Sequence, residues 1–463
     1  MRKLISFLLL NLAVVISVFS QSGTISIEQI KEIQSSFNND EATTAIINAV
    51  TNNKINDLTI NRETFNEFDD EFKYKVSVSG ITNQESSGRC WMFTSYNILR
   101  PKVMESLNIS SFEFSTNYLF FWDMFEKSNF FLENIIATAD KDIYDREITL
   151  LFDSPVGDGG VWSSFTNLAA KYGVIPKSVM PETYQSKNTA TLNKFLNRKL
   201  REAALELRTL KSSKASDSEI EKYKLEALTD VYRILVICLG EPPTEFTWRY
   251  KDKSGNISEE KTYTPQSFYS EVVNIDLSEY IMLMDDPTRE YYNLYEIEND
   301  RNVMEGKNWT YINLPASEIK PFALASIKAN EAMYFSCDVA KQLNSDEGLL
   351  SVENYNYEAL FGVKFDMDKK ERILSRESGS THGMALVGVD TDTDDNITKW
   401  LLENSWGATS GNAGYLTMTD EWFEEYMFRI VIKKEFIDEN VLKILKKTPV
   451  ILPAWDPMFL EDE

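Results

Sequence analysis

The sequence predicts an α+β protein built as two halves with a cleft between them, carrying a large helical insertion. Three observations lead there. Helical periodicity runs from Cys90 towards Pro101 and returns strongly over residues 191–240. After about residue 320 the pattern changes to short apolar runs bounded by turn residues. The side chains able to do chemistry are split between the two regions. A cysteine opens an apolar helix, and the chain's only histidine, His382, stands at the start of an apolar run. A cleft between such halves is where a site is expected.

The elements follow in chain order. Residues 1–20 read as a cleavable signal peptide. Arg2 and Lys3 precede an apolar stretch over residues 4–19, and Ser20 offers a small residue for cleavage before Gln21. The stretch is interrupted by Asn11 and is short for a membrane span, so no stable anchor is expected. A secreted or periplasmic protein is the expectation. Residues 21–80 form an N-terminal segment, with Ile27, Ile30, Ile33 and Phe37 at helical spacing and a second short helix over residues 41–50.

Residues 81–190 form the helical half. Trp91, Phe93, Tyr96, Ile98 and Leu99 describe a buried helix that begins at Cys90 and ends or kinks near Pro101. Residues 191–320 read as a helical insertion that packs or assembles. Ser216 and Glu219 make a capping box, Ile220 to Cys238 keep a 3.6-residue period, and Gly240 with Pro242-Pro243 stops the helix. Residues 321–450 form the β half, with strands expected at 385–389, 399–403, 414–418 and 427–432. Residues 451–463 are a C-terminal arm.

Charge and cysteine count narrow the chemistry. The chain has 48 basic and 72 acidic residues, a net charge of −24, and no Lys/Arg-rich run. A polyphosphate would be repelled by that field, so no nucleic-acid partner is expected. With one histidine, three cysteines and no CxxC spacing, a zinc site of His and Cys ligands is not expected either. Cys238 and Cys337 sit in apolar settings and read as buried thiols, with a Cys238–Cys337 disulfide as the alternative.

Three strings carry the chemistry. Gln84-Glu85-Ser86-Ser87-Gly88-Arg89-Cys90-Trp91 puts a thiol at a helix N-terminus. There the helix dipole and unpaired N–H groups favour a thiolate, and a thiol pKa below the free value is expected. Thr381-His382-Gly383-Met384 offers the imidazole. Glu403-Asn404-Ser405-Trp406-Gly407 offers an amide to orient it. A cysteine, a histidine and an asparagine in that order suggest a thiol hydrolase.

These strings resemble the papain-like cysteine peptidases, and within them the bleomycin hydrolase (aminopeptidase C) family. The likeness extends over Tyr118-Leu119-Phe120-Phe121-Trp122-Asp123, Asp158-Gly159-Gly160, Lys171-Tyr172-Gly173-Val174-Ile175-Pro176-Lys177 and Met180-Pro181-Glu182. It continues through Phe246-Thr247-Trp248, Cys337-Asp338-Val339 and Ile451-Leu452-Pro453-Ala454-Trp455-Asp456-Pro457-Met458. It covers nearly all of the chain from about residue 40 onward. Two departures are Gly383, where the family commonly has alanine, and the signal peptide, since familiar members are mostly intracellular.

The resemblance implies a papain-like two-part fold and a cysteine-type aminopeptidase acting on peptides without metal or organic cofactor. By it, Cys90 is the nucleophile, His382 its base and then the acid for the leaving amine, and Asn404 the residue that orients His382. Gln84 is the oxyanion donor beside the Cys90 N–H. Asp158, Gly159 and Gly160 form a strip along the substrate backbone, and Trp406 shields the Asn404–His382 contact. The C-terminal arm lies in the cleft, where the terminal carboxylate of Glu463 holds the substrate's free amino group. A homohexamer is implied as well. Two rival readings stay open: a papain-like endopeptidase of broader specificity, and a non-enzymatic scaffold of the same fold.

Overall fold

The computed structural model describes residues 23–64, 69–78, 80–456 and 458, and the chain divides into two units. The expected signal peptide, residues 1–20, and Glu463 lie outside the described residues.

The smaller unit joins residues 23–60 to a short segment at Tyr357–Gly362. Its helices are Ile27–Ser36, Glu41–Val50, Ile55–Thr59 and Tyr357–Phe361. Ser26 and Gln29 close a capping box on the first, and Asp40 caps the second. The spacing of Ile27, Ile30 and Ile33 does make a helix, yet all three side chains and Phe37 are exposed.

In the larger unit a short strand, Tyr74–Lys75, precedes the helices. Cys90–Ser106 continues through Pro101, where the sequence suggested an end or a kink. The proline removes one backbone donor, but Val103 and Met104 beyond it are buried, and their packing holds the last turn. Thr116–Ala137 follows, capped by Ser115, and then Trp162–Tyr172. The predicted helical block at 191–240 is a pair, Ala190–Ser212 and Asp217–Leu239, with the Ser216/Glu219 box in place. Gly240 ends the second helix at φ 91°, a backbone angle that glycine adopts without strain. Leu192, Leu196, Leu200, Ala203 and Leu207 are buried against Ile220, Ala227, Val231 and Leu235. Both helices pack on Thr116–Ala137.

Phe246–Trp248 and Lys261–Tyr263 pair as a small two-stranded sheet, and the other named strands form one mixed sheet. Its order begins Val450–Leu452, Asn293–Ile297, Thr310–Asn313, Tyr280–Met284, Met427–Lys433 and Met333–Cys337. It continues His382–Thr391, Ile397–Glu403, Tyr415–Thr419, Leu349–Leu350 and Leu343–Asn344, and Tyr74–Lys75 pairs with the His382 strand. The sheet therefore starts earlier than sequence suggested. Three of its strands lie at 280–313, within the stretch read as helical insertion. They are four or five residues long and buried on both faces in large part, so no alternation marks them. The helix that starts at Cys90 lies against strands His382–Thr391 and Met333–Cys337, bringing the helical and β halves together. Cys90, Cys238 and Cys337 are all free thiols, so the alternative Cys238–Cys337 disulfide does not form.

Candidate active site

Cys90 is the first residue of its helix, and the loop before it is held on both sides. The Gly88 N–H donates to Oδ2 of Asp158 at 2.7 Å, and a Cβ on Gly88 would lie 2.7 Å from that carboxylate. Arg89, fully buried, makes a two-pronged pair with Glu182, with N–O distances of 3.2 and 2.8 Å. Trp91 donates its indole N–H to the Asp158 carbonyl at 2.8 Å. Gly160 packs flat on the Trp91 ring, where a Cβ would come within 2.6 Å. The Asp158-Gly159-Gly160 strip thus lines the cleft and also clamps the loop that presents Cys90. The Asp158 carboxylate is engaged from within, by Gly88 and the Thr189 hydroxyl.

His382 begins its strand, and Asn404 immediately follows the neighbouring strand Ile397–Glu403. The His382 Nε2 lies 2.8 Å from Oδ1 of Asn404. That oxygen also accepts the Ser405 N–H at 2.7 Å, which fixes which end of the amide faces the ring. An acceptor there means Nε2 carries the ring proton and Nδ1 is free to take one. The Trp406 indole stacks on the imidazole, with centroids 4.8 Å apart, and covers the pair.

Gln84 is tied to the same framework. Its N–H donates to the Ser405 carbonyl at 2.8 Å, and its Oε1 accepts the Ser405 hydroxyl at 2.7 Å. The carbonyl end is therefore occupied and the amide nitrogen is aimed the other way. Nε2 gives one hydrogen to the Ser87 carbonyl at 2.6 Å and keeps a second. Asn83 bridges to Trp406 and Gly407 to Thr82, so the Gln84 loop and the Asn404 loop are tied together through their backbones.

Gln84, Cys90, Gly159, Gly160 and His382 all line one cleft of about 320 Å³. Met458 lines it too, bringing the C-terminal arm to the cleft as far as it is described. The cleft continues into a groove of about 950 Å³, with Gly159, Gly160 and Asp300 in both walls. Sequence reasoning missed Arg429, Ser336, Ser380, Tyr334, Asp300 and Trp309, which also line the cleft. The one available signal was a lone arginine inside the apolar run Met427-Phe428-Arg429-Ile430-Val431-Ile432.

Burial changes the electrostatics expected from sequence. A thiol below its free value was expected, but burial pushes Cys90 up, against the pull of the Gly383 and Trp91 N–H groups. Burial also lowers His382 to about 4, with the Asn404 bond opposing. Each group alone is held neutral. A thiolate–imidazolium pair here would be favoured by the mutual attraction of its two charges.

Comparison with known proteins gives the family. The model of the peptidase C1-like family matches residues 24–459. Aminopeptidase C of Lactobacillus delbrueckii subsp. lactis is 38% identical over 442 residues, covering 94% of this chain and 98% of the relative. Bleomycin hydrolase of Homo sapiens is 40% identical over 450 residues, covering 95% of this chain and 99% of the relative. The crystal structure of pepw from Lactobacillus rhamnosis superposes with a TM-score of 0.92 at 38% identity, covering 95% of this chain and 99% of that one. The chain belongs to the peptidase C1-like family, within its aminopeptidase C and bleomycin hydrolase branch.

Proposed function

We propose that the chain is a cysteine aminopeptidase that removes N-terminal residues from peptides. One observation carries the reading: the Cys90 thiol, the His382 imidazole and the Gln84 amide line one cleft, with Asn404 holding His382 from behind. The names of the relatives, aminopeptidase C and bleomycin hydrolase, support it.

The reaction follows from the bonds. The Cys90 sulfur attacks the scissile carbonyl carbon while its proton passes to Nδ1 of His382. The carbonyl oxygen becomes an oxyanion, which accepts from the Cys90 N–H and from the second Nε2 hydrogen of Gln84. The tetrahedral centre collapses, the C–N bond breaks, and His382 returns the proton to the leaving amine. The thioester is then attacked by water, whose proton goes to His382. The acid leaves and the thiol is restored. Asn404 holds the imidazole in one orientation throughout, and Trp406 keeps water from their contact. Asp158, Gly159 and Gly160 take the role of the wall along the substrate backbone.

The restriction to free N-termini is assigned to the arm. Met458 lies in the cleft wall, which supports a path for residues 459–463 towards the substrate's amine, with the Glu463 carboxylate as its partner. Export through the residue 1–20 leader, to a secreted or periplasmic location, belongs to the same proposal. So does assembly into a homohexamer, for which the exposed Ile27, Ile30, Ile33 and Phe37 offer an apolar surface. The test compares free and N-acetylated forms of one peptide, using the full chain and a chain without residues 459–463. Truncation is expected to lower hydrolysis of the free form and raise that of the blocked form. An unchanged ratio removes the arm, and Glu463, from the substrate site.

A further inference from the structure

Arg429 is 6% exposed, in the middle of the strand Met427–Lys433. A guanidinium taken out of water needs a partner of opposite charge. The other deeply buried arginines of the larger unit have one: Arg89 pairs with Glu182 and Arg100 with Glu403. Arg429 does not pair with any carboxylate of the described residues within 4.0 Å. Among the described residues its Nε and Nη1 have no hydrogen-bond acceptor, and its Nη2 donates to the Ser380 hydroxyl at 2.6 Å. That hydroxyl in turn lies 2.5 Å from the Ser336 hydroxyl.

The group is held in place, in the wall of the cleft that Cys90 and His382 line. Its guanidinium carbon lies 4.1 Å from the centroid of the Trp309 ring, a contact that fixes the plane of the fork. Across the sheet, Arg429 pairs with Ser336 and Ser336 pairs with Gly383, the residue after the histidine. Two strand spacings separate the Arg429 backbone from that of Gly383, roughly 10 Å. Arg429, Ser336 and Ser380 line the same cleft as Cys90 and His382. Asp300 also lines it; its field reaches the guanidinium from beyond pairing distance. Tyr334 and the Cys90 and Cys337 thiols are the other titratable groups that face Arg429.

We propose that Arg429, with the Ser380 hydroxyl, is a carboxylate-binding subsite that makes the cleft favour substrates with an acidic side chain on the acyl side of the scissile bond. The inference rests on the aminopeptidase reading, under which that residue is the N-terminal one. A glutamate side chain reaches further across the gap than aspartate and is the better fit. The overall charge of −24 opposes an acidic substrate only at long range, where salt screens it, whereas the fork acts at contact in a dry wall.

The test uses matched Glu-, Gln- and Ala-aminoacyl fluorophores with the full chain and with Arg429→Gln and Arg429→Glu. The Glu/Gln ratio of kcat/KM should be about ten- to a hundredfold higher in the wild type than in Arg429→Gln. Arg429→Glu should shift preference towards a Lys-aminoacyl substrate. If both variants fail to fold, the wild-type ratio decides alone: a value at or below one overturns the subsite. A wild type that turns over Ala and Gln substrates with such a ratio leaves the peptidase reading standing, whereas no turnover of any substrate overturns both. The same substrates with a chain lacking residues 459–463 identify the source of the carboxylate. A Glu preference equal in both chains supports the substrate. A preference that appears only after truncation overturns the assignment, because Arg429 then holds the chain's own acidic residues.

Discussion

The Asn404 side-chain oxygen accepts two hydrogens at once, from His382 Nε2 at 2.8 Å and from the Ser405 N–H at 2.7 Å. The second bond decides the first. With the Ser405 N–H in place, rotating the amide would face donor against donor, so the histidine tautomer is set by a backbone group one residue away.

Asn404→Ala should therefore lower turnover without removing the base. A loss of about ten- to a hundredfold in kcat is expected, the scale for losing a group that orients a catalytic side chain. KM should hardly move. Steady-state kinetics on a free-amine substrate checks this, and an unchanged kcat would show that strand packing alone orients His382.

Gln84→Ala should cost on the order of a hundredfold or more in kcat. Gln84→Glu should do no better, since a carboxylate cannot donate to an oxyanion and would also face the Ser87 carbonyl that Gln84 now serves. Single-turnover acylation rates separate this from an effect on binding. A loss confined to KM would move Gln84 out of the oxyanion role.

The pH profile should follow the buried imidazole. A histidine in water titrates near 6.5, but His382 is lowered to about 4. The ring stays unprotonated, and able to accept the thiol's proton, down to that value. The acid limb of kcat/KM should accordingly fall near pH 4, and a limb near 6.5 would mean a solvated ring. Stability has the matching sign. The unfolded chain takes up this proton below 6.5 and the folded one does not, so stability falls as pH drops from 6.5 towards 4. The effect is on the order of 3 kcal/mol and should vanish in His382→Gln.

Arg100, on the helix that starts at Cys90, and Glu403, next to Asn404, form a pair at 2.6 Å with both side chains almost fully buried. Burial nonetheless raises Glu403 to about 7, outweighing the attraction of Arg100. Removing either partner alone should cost about 3–5 kcal/mol. Replacing both, as Arg100→Met with Glu403→Leu, should cost much less, because no buried charge is then left uncompensated. Denaturant unfolding of the two single variants and the double variant checks this. Additive losses would mean the two residues act separately.

How much of this was legible in sequence depended on distance along the chain. Gln84 and Cys90 lie in one string, His382 in another and Asn404 in a third, and each string carries its own local signature of loop, helix start or strand end. Arg429 carries none beyond being a charge in an apolar strand. Its meaning comes from Ser336 and Gly383, which become its neighbours only through the pairing of three strands. The strand Tyr280–Met284 was hidden for a related reason: buried on nearly every residue, it shows no alternation. The direction of the thiol shift was illegible too. The helix start at Cys90 could be read, but the burial that outweighs it is a property of the assembled cleft.

The central claim is that Cys90, activated by His382, performs the hydrolysis. Labelling with a thiol-directed epoxide, followed by peptide mapping, tests it most directly. The account predicts one equivalent bound at Cys90, activity lost in proportion, little label on Cys238 or Cys337, and no label in His382→Ala at the same rate. Full activity in a protein whose Cys90 is quantitatively labelled, or in Cys90→Ala, would contradict it.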